Sequence, residues 1–370
     1  MNKKVYFITG GGTGGHIYPA VAVADGLLDK NPESVIYYVG NPNNLEASIV
    51  KDKKYKFLGV NSSGMPRKAC LTLIIWCVQM FFGWLKCCFY LLKYKPDAVF
   101  GTGGYVSAPV LFAAVTMRVP FVMHDCDANP GLVTRILSPF AKSISVAFDV
   151  ECKKLKNKNC FVNGNPIRKE FSSLDKSTAR RQIGLSDKMT ICIMGGSQGA
   201  RNINNSAVKI LKDLSLKDYQ IIFQTGKRNY NDVIYALEKC YSEFRNDKNI
   251  IVRPYFDNMA EVLSSSDIAV SRAGSLSISE LCACGIAAIF VPYPYAAADH
   301  QRKNAKYMAD NGAGLYIEDE DLSAQNLAEL IYSLTADNQK LCSIQANAKK
   351  LAVYDGVDRI IEQIENACKH

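Results

Sequence analysis

Gly10, Gly12 and Gly15 fall in G-x-G-x-x-G spacing between the apolar run Val5–Thr9 and a helical pattern, and His16 follows directly. Glycines at a helix start let backbone N–H groups approach an anion closely. An imidazole beside them can take a proton near neutral pH, its ordinary pKa being about 6.5. Glycine clusters at 101–104 and 195–199 repeat the arrangement after apolar runs. Any one of these loops also fits a plain strand-to-helix turn, but three at strand ends point to a cleft that handles phosphates. A fourth cluster, Ser271-Arg272-Ala273-Gly274-Ser275-Leu276-Ser277-Ile278-Ser279-Glu280, is dense in N-capping residues suited to a diphosphate. Glu280, a turn further on, suits ribose hydroxyls or is a solvated helix-face acid. Asp299-His300-Gln301 with Asn304 forms a polar cluster after Pro292-Tyr293-Pro294.

These clusters need strands and helices to hold them. Short apolar runs at 5–9, 35–39, 98–100 and 121–123 alternate with helical stretches, the first from Pro19 to about Leu28. A second series begins at 190–194 and continues at 221–223, 250–252, 268–270 and 288–291. Two series of βα units predict two doubly wound α/β domains, joined near the turn-rich Asn163-Gly164-Asn165-Pro166. The strand at 35–39 ends in Gly40-Asn41 with no acid for a ribose, which disfavours a nicotinamide cofactor. No G-x-x-x-x-G-K occurs, which disfavours a P-loop enzyme.

The length of 370 residues also suits two domains, and 48% hydrophobic with 21% charged residues is a globular composition. The net charge of +9 is uneven: 19 basic and 10 acidic residues precede Asn163, and 25 of each follow. A basic half suggests an anionic partner, nucleic acid or a membrane surface. Nucleic acid is disfavoured, because no recognition motif or aromatic stacking platform accompanies the basic residues. The segment 71–92 is apolar and long enough to span a bilayer, but it lies between strands of one domain. It carries both tryptophans, Trp76 and Trp84, and is flanked by Arg67, Lys68, Lys93 and Lys95. That combination predicts a helix lying in the membrane interface, with a helix buried all round as the alternative. Thirteen scattered cysteines without a C-x-x-C pair predict reduced, mostly buried thiols and no zinc site. After Lys3-Lys4 the apolar run is too short for a signal peptide.

Several motifs in order resemble the MurG family of glycosyltransferases. They are Gly11-Gly12-Thr13-Gly14-Gly15-His16 with Pro19, Gly103-Gly104-Tyr105-Val106-Ser107 with Pro109, Gly164-Asn165-Pro166-Ile167-Arg168, Gly195-Gly196-Ser197-Gln198-Gly199-Ala200, Arg272 through Glu280, and Asp299-His300-Gln301 with Asn304-Ala305. The resemblance covers nearly the whole chain. It implies a GT-B fold, α/β, with two Rossmann-like doubly wound parallel-sheet domains facing across a cleft. Residues 1–163 plus 353–370 would form an acceptor and membrane-associating domain, and 164–352 the UDP-GlcNAc donor domain. A C-terminal helix from Gly356 to about Ala367 would return to the first domain.

The implied reaction moves N-acetylglucosamine from UDP-GlcNAc to the 4-hydroxyl of the muramyl sugar of undecaprenyl-pyrophosphoryl lipid I, giving lipid II with inversion. His16 is the candidate base, with Asp127 a possible sharer of that role. Ser197, Ser275, Leu276, Ser277, Ile278 and Ser279 would hold the diphosphate, Glu280 the ribose, the Phe256 backbone the uracil, and Gln301 the sugar hydroxyls. Arg168 would add positive charge, and Thr13, Gly14, Gly15 and Asp127 would line the donor sugar. Gly103, Gly104 and Tyr105 would take the acceptor pyrophosphate, and Trp76, Phe81 and Trp84 the membrane. No cofactor is expected, since helix N-termini can offset the leaving charge without a metal. The partners implied are UDP-GlcNAc, lipid I, an anionic membrane surface and other cell-wall synthesis proteins, with a peripheral location on the cytoplasmic face of the cell membrane. A glycolipid-forming transferase with another lipid acceptor is the alternative. One departure stands out: the family's His-Glu-Gln-Asn reads His124-Asp125-Cys126-Asp127 here, which puts an acceptor-only carboxylate near the sugar and creates Asp-x-Asp.

Overall fold

The computed structural model describes residues 3–66, 71–196, 198–296 and 299–369. The chain divides into two units, residues 1–167 with 355–370 and residues 168–354.

The first unit runs β1 (Val5–Thr9), α1 (Gly14–Lys30), β2 (Val35–Gly40), α2 (Leu45–Val50), β3 (Lys56–Gly59), α3 (Leu71–Tyr94), β4 (Ala98–Gly101), α4 (Gly104–Met117), β5 (Phe121–Asp125), α5 (Leu132–Leu137), β6 (Ser143–Val146) and β7 (Cys160–Val162). The second runs α6 (Glu170–Ser173), α7 (Lys176–Ile183), β8 (Thr190–Met194), α8 (Arg201–Leu216), β9 (Gln220–Gln224), α9 (Tyr230–Cys240), β10 (Ile250–Arg253), α10 (Met259–Ser264), β11 (Ile268–Ser271), α11 (Ser275–Cys284), β12 (Ala287–Phe290), α12 (His300–Asp310), β13 (Gly314–Tyr316), α13 (Ala324–Thr335) and α14 (Asn338–Leu351). Helix α15 (Gly356–Ala367) belongs to the first unit, where Ile360, Ile361 and Ile364 join the core beneath α1.

Both sheets are parallel, in the orders β3-β2-β1-β4-β5-β6-β7 and β10-β9-β8-β11-β12-β13. Parallel strands are covered on both faces, so they read as unbroken apolar runs; Phe7, Ile8, Ile191 and Ile193 are all fully buried. Strand order reverses between β1 and β4 in one sheet and between β8 and β11 in the other. Loops at such reversals splay apart and open a crevice at the strand C-termini. All four glycine or serine clusters of the sequence sit at these two reversals.

Helix α1 begins at Gly14, five residues before the expected start at Pro19. The Thr13 carbonyl accepts from the amides of His16 and Ile17 at 3.1 Å each, so the helix closes before proline can interfere. His16 is therefore in the first helical turn. Helix α4 repeats the device, with glycine first and Pro109 sixth, as Gly14 and Pro19 are in α1.

Helix α3 is long and apolar enough to cross a membrane by length and composition. It is not buried all round: only Gly83, Cys87 and Leu91 are buried, the last two in the first unit's core. Its outer stripe is apolar, including Leu71, Ile74, Ile75, Val78, Phe81, Phe82, Leu85, Phe89 and Leu92, all exposed. The two tryptophans sit at the flank of this stripe. Both are half-buried, Trp76 Nε1 donating to Ser63 O (2.8 Å) and Trp84 Nε1 to Thr116 Oγ1 (2.9 Å). Phe81 faces outward.

The cysteine expectation is also corrected. Cys152 and Cys160 form a disulfide, the turn between a 3-10 helix (Asp149–Lys154) and β7 bringing them together. Of the free cysteines described, Cys77, Cys240 and Cys342 are exposed and Cys87, Cys126, Cys192 and Cys282 buried.

Candidate active site

In the first unit, the β1–α1 and β4–α4 loops lie against each other. His16 Nδ1 is 2.8 Å from the carbonyl oxygen of Thr102. A carbonyl only accepts, so Nδ1 carries the hydrogen and Nε2 keeps its lone pair. Thr102 Oγ1 donates back to His16 O at 2.6 Å. Gly103 and Gly104 both have positive φ, +81° and +74°. A Cβ on Gly104 would stand 3.1 Å from both Gly11 O and His16 Cδ2, so the ring has glycine backbone as its floor. Thr13, Gly14, Gly15, His16, Gly103, Gly104 and Tyr105 are thus brought together.

The glycine loop has an occupant that the sequence did not reveal. Glu46 of α2 is fully buried. Its Oε2 accepts from the Gly12 amide (3.3 Å) and its Oε1 from the Asn41 amide (3.0 Å). The Tyr105 ring covers Gly12, whose φ of +85° and lack of Cβ permit the contact, and Tyr105 OH accepts from Asn44 Nδ2 (3.2 Å). A protein carboxylate therefore sits where the loop's N–H groups would otherwise meet an anion. The sequence signal was present in Glu46, six residues past the end of β2, beyond the position where a ribose-binding acid belongs.

Behind His16 runs a buried polar chain. Asn163 Nδ2 donates to Ser145 Oγ (3.1 Å), which pairs with His124 Nδ1 (2.9 Å). His124 Nε2 pairs with Asn165 Oδ1 (3.0 Å), and Asn165 Nδ2 donates to Cys126 O (3.3 Å). The amide oxygen only accepts, so Nε2 carries the hydrogen and Ser145 donates to Nδ1. Complete burial pushes the His124 pKa down to about 4, so the ring is neutral. Asp125 is buried, and its oxygens accept from the amides of Asp127 (3.4 Å) and Gly131 (3.0 Å); desolvation raises its pKa. Asp-x-Asp is thus no paired carboxylate claw, and among the described residues no group of three His, Cys, Asp or Glu could hold a metal. Asp127 is half-buried at the edge of this chain.

In the second unit, the clusters at 195–200 and 271–280 end β8 and β11, the adjacent strands at the reversal. Ser197 lies outside the described residues. Ser275, Leu276, Ser277, Ile278 and Ser279 form the first turns of α11, where Gly274 caps without a side chain and the Ile278 amide reaches Gly274 O (2.9 Å). Burial pushes the Glu280 carboxyl up to about 7, and the exposed Arg168 guanidinium pulls the other way. Arg168 also lies 5.1 Å from the Phe171 ring centroid. Two expected ligand contacts are already engaged: the Phe256 amide donates to Gln224 Oε1 (3.0 Å), and Gln301 Oε1 accepts from the Tyr293 amide (3.0 Å). Gln301 keeps its amide nitrogen and the second lone pair of Oε1. Arg272 is a brace, its Nη1 donating to Val291 O and Pro292 O (3.1 Å each) and to Asp319.

The chain matches the Glycosyltransferase family 28 N-terminal domain over residues 6–146 and the Glycosyltransferase family 28 C-terminal domain over residues 190–360. It is 37% identical over 363 residues to a Desulforamulus reducens protein named UDP-N-acetylglucosamine--N-acetylmuramyl-(pentapeptide) pyrophosphoryl-undecaprenol N-acetylglucosamine transferase, covering 97% of each chain. An Acetivibrio thermocellus protein of the same name is 34% identical, with 98% of each chain covered. Among solved structures it superposes on Acinetobacter baumannii MurG with a TM-score of 0.77 and 25% identity, covering 99% of this chain and 100% of that one.

The chain belongs to the MurG family.

It is therefore a family 28 glycosyltransferase with the α/β GT-B fold. A UDP-GlcNAc 2-epimerase from Neisseria meningitidis, 14% identical with a TM-score of 0.69, shares that fold. Four of the six MurG motifs fall at the two strand reversals; residues 164–168 lie between β7 and α6, and residues 299–305 open α12 after β12.

Proposed function

We propose that this chain transfers N-acetylglucosamine from UDP-GlcNAc to the 4-hydroxyl of the muramyl sugar of lipid I, forming lipid II. The observation that carries it is the His16 Nδ1–Thr102 O hydrogen bond, which leaves Nε2 as an acceptor beside the Gly103-Gly104 turn. Nε2 takes the proton of the 4-hydroxyl as that oxygen bonds to the anomeric carbon. The bond from that carbon to the diphosphate breaks, its electron pair leaves with UDP, and the configuration inverts.

The first unit is the acceptor side and the second the donor side in this reading. Gly103, Gly104 and Tyr105 at the start of α4 suit a pyrophosphate. The α11 start and Arg168 suit the leaving diphosphate, and Glu280 the ribose hydroxyls. No metal is needed for that charge balance. Asp127 accepts from a sugar hydroxyl or from the acceptor. The protein works as a peripheral enzyme on the cytoplasmic face of the membrane, supported by the outer face of α3 and the basic first half. Other cell-wall synthesis proteins are its proposed neighbours there.

The test is an assay with radiolabelled UDP-GlcNAc and a lipid I analogue. Lipid II-like product is expected, and His16→Ala loses about 10²–10⁴-fold in kcat with UDP binding kept. A wild-type protein that binds UDP-GlcNAc yet forms no such product sinks the proposal.

A further inference from the structure

Helices α3 and α4 run side by side, with Gly83 against Pro109 and Trp84 bonded to Thr116. Between them lies a groove of about 370 Å³, lined by Trp76, Met80 and Trp84 on α3 and by Pro109, Phe112 and Val115 on α4, with Thr116 at its end. Its few polar atoms are engaged. Trp76 donates to Ser63 O (2.8 Å), Trp84 to Thr116 Oγ1 (2.9 Å), and Thr116 Oγ1 to Phe112 O (2.7 Å). What the groove offers is hydrocarbon and ring faces. A peptide would bring amides that need partners, whereas a hydrocarbon chain needs none.

The groove lies on the same helix as the Gly103-Gly104 turn, further along α4. Its α4 residues lie roughly 8–18 Å along the axis from Gly104, at 1.5 Å per residue. At its α3 end, Trp76 holds Ser63, and a Cβ on the next residue, Gly64, would stand 3.8 Å from the Tyr105 ring. A ligand with an anionic head at Gly103-Gly104 and an apolar tail has an apolar track beginning beside its head. We propose that this groove seats the isoprenoid segment adjoining the pyrophosphate of the lipid acceptor. It rests on the transfer reading for the identity of the tail. The groove is distinct from the outer face of α3, which meets the membrane.

The chain's two tryptophans both line the groove, so their fluorescence reports its occupancy. The full chain is titrated with polyprenyl pyrophosphates of increasing length, a straight-chain alkyl pyrophosphate and inorganic pyrophosphate. The expected result is a saturable tryptophan shift with polyprenyl pyrophosphates, which bind at least about tenfold tighter than inorganic pyrophosphate. Val115→Phe, which fills the groove, and Phe112→Ser, which weakens its wall, each remove most of that gain and leave UDP binding unchanged. With transfer assays, both variants raise KM for long-tailed acceptors and leave kcat and the KM of a tail-less acceptor alone. Equal affinity for the alkyl and polyprenyl compounds, no tryptophan shift, or equal KM changes for tailed and tail-less acceptors overturns the proposal. The titration needs no turnover, so absence of transfer with UDP-GlcNAc would count against the transfer reading and not against the groove.

Discussion

His16 and Thr102 hold each other twice: the ring Nδ1 donates to the Thr102 carbonyl at 2.8 Å, and the Thr102 hydroxyl donates to the His16 carbonyl at 2.6 Å. The pair fixes both the tautomer and the position of the first turn of α1. Thr102→Val keeps the first bond and removes the second, together with a longer one from the same hydroxyl to Thr9 O (3.4 Å). Turnover should fall about tenfold, since a small misplacement of a base is costly, while UDP affinity stays constant. Unchanged kcat would mean that the carbonyl contact alone orients the ring.

Glu46→Gln tests the carboxylate inside the glycine loop. Glutamine has one acceptor oxygen for two amides, Gly12 and Asn41, and turns an NH₂ toward the other. Stability should fall by about 1–3 kcal/mol, the cost of a buried unsatisfied donor, as read by urea unfolding. Turnover should fall with it, because this loop leads into His16. Wild-type stability would show that the two bonds contribute little.

Glu280 should make UDP binding depend on pH. With its carboxyl pushed up to about 7, the folded protein holds a proton there that an ordinary glutamate has lost. An ionised carboxylate is the better acceptor for a ribose hydroxyl, so affinity should rise up to about tenfold between pH 6 and 8. In Glu280→Gln that rise should disappear, apart from the titration of UDP itself, which the two proteins share. Without ligand the sign reverses: ionising this half-buried group destabilises the fold as pH climbs from the ordinary value of 4.5 through 7. Parallel pH curves for both proteins would rule out this carboxyl.

His124 predicts acid sensitivity. Its folded-state pKa lies near 4, below the ordinary 6.5, so below pH 6.5 the unfolded chain takes up a proton that the buried ring refuses. Stability should therefore fall as pH drops from 6.5 to 4, by about 3 kcal/mol at the lower end. His124→Asn should be less stable at pH 7 and flatter across that window. Equal slopes in thermal melts would assign the acid loss to other groups.

The outer face of α3 should bind lipid. Ile75 and Phe82 are 60% and 63% exposed. Replacing both by serine should lower affinity for anionic vesicles at least about tenfold and leave turnover on a water-soluble acceptor unchanged. Added salt should weaken wild-type binding by screening the basic half. Insensitivity to salt would leave the apolar stripe as the whole anchor.

The fold was legible because buried parallel strands are continuous apolar runs, as at Val5–Thr9 and Thr190–Met194, and because glycine loops mark their ends. His16 and the α11 start could be placed by the same logic. Other features depend on contacts that no local pattern announces. Trp76 and Trp84 turn inward because Ser63 and Thr116, distant in sequence, offer acceptors. Phe256 and Gln301 are engaged by Gln224 and Tyr293, whose proximity comes from tertiary packing. Cys152 and Cys160 meet across an irregular turn. The α1 start was misplaced because proline marks a helix start more often than its sixth residue, and here Thr13 closes the turn first.

Two similar sheets, each with a glycine loop at its reversal, would suggest two nucleotide seats per chain. Glu46 breaks that symmetry by filling one loop from within. Calorimetric titration should therefore find one UDP per chain. A second site in the first unit, with a stoichiometry of two, would show that the Glu46 carboxylate on the Gly12 and Asn41 amides does not close that loop to a nucleotide.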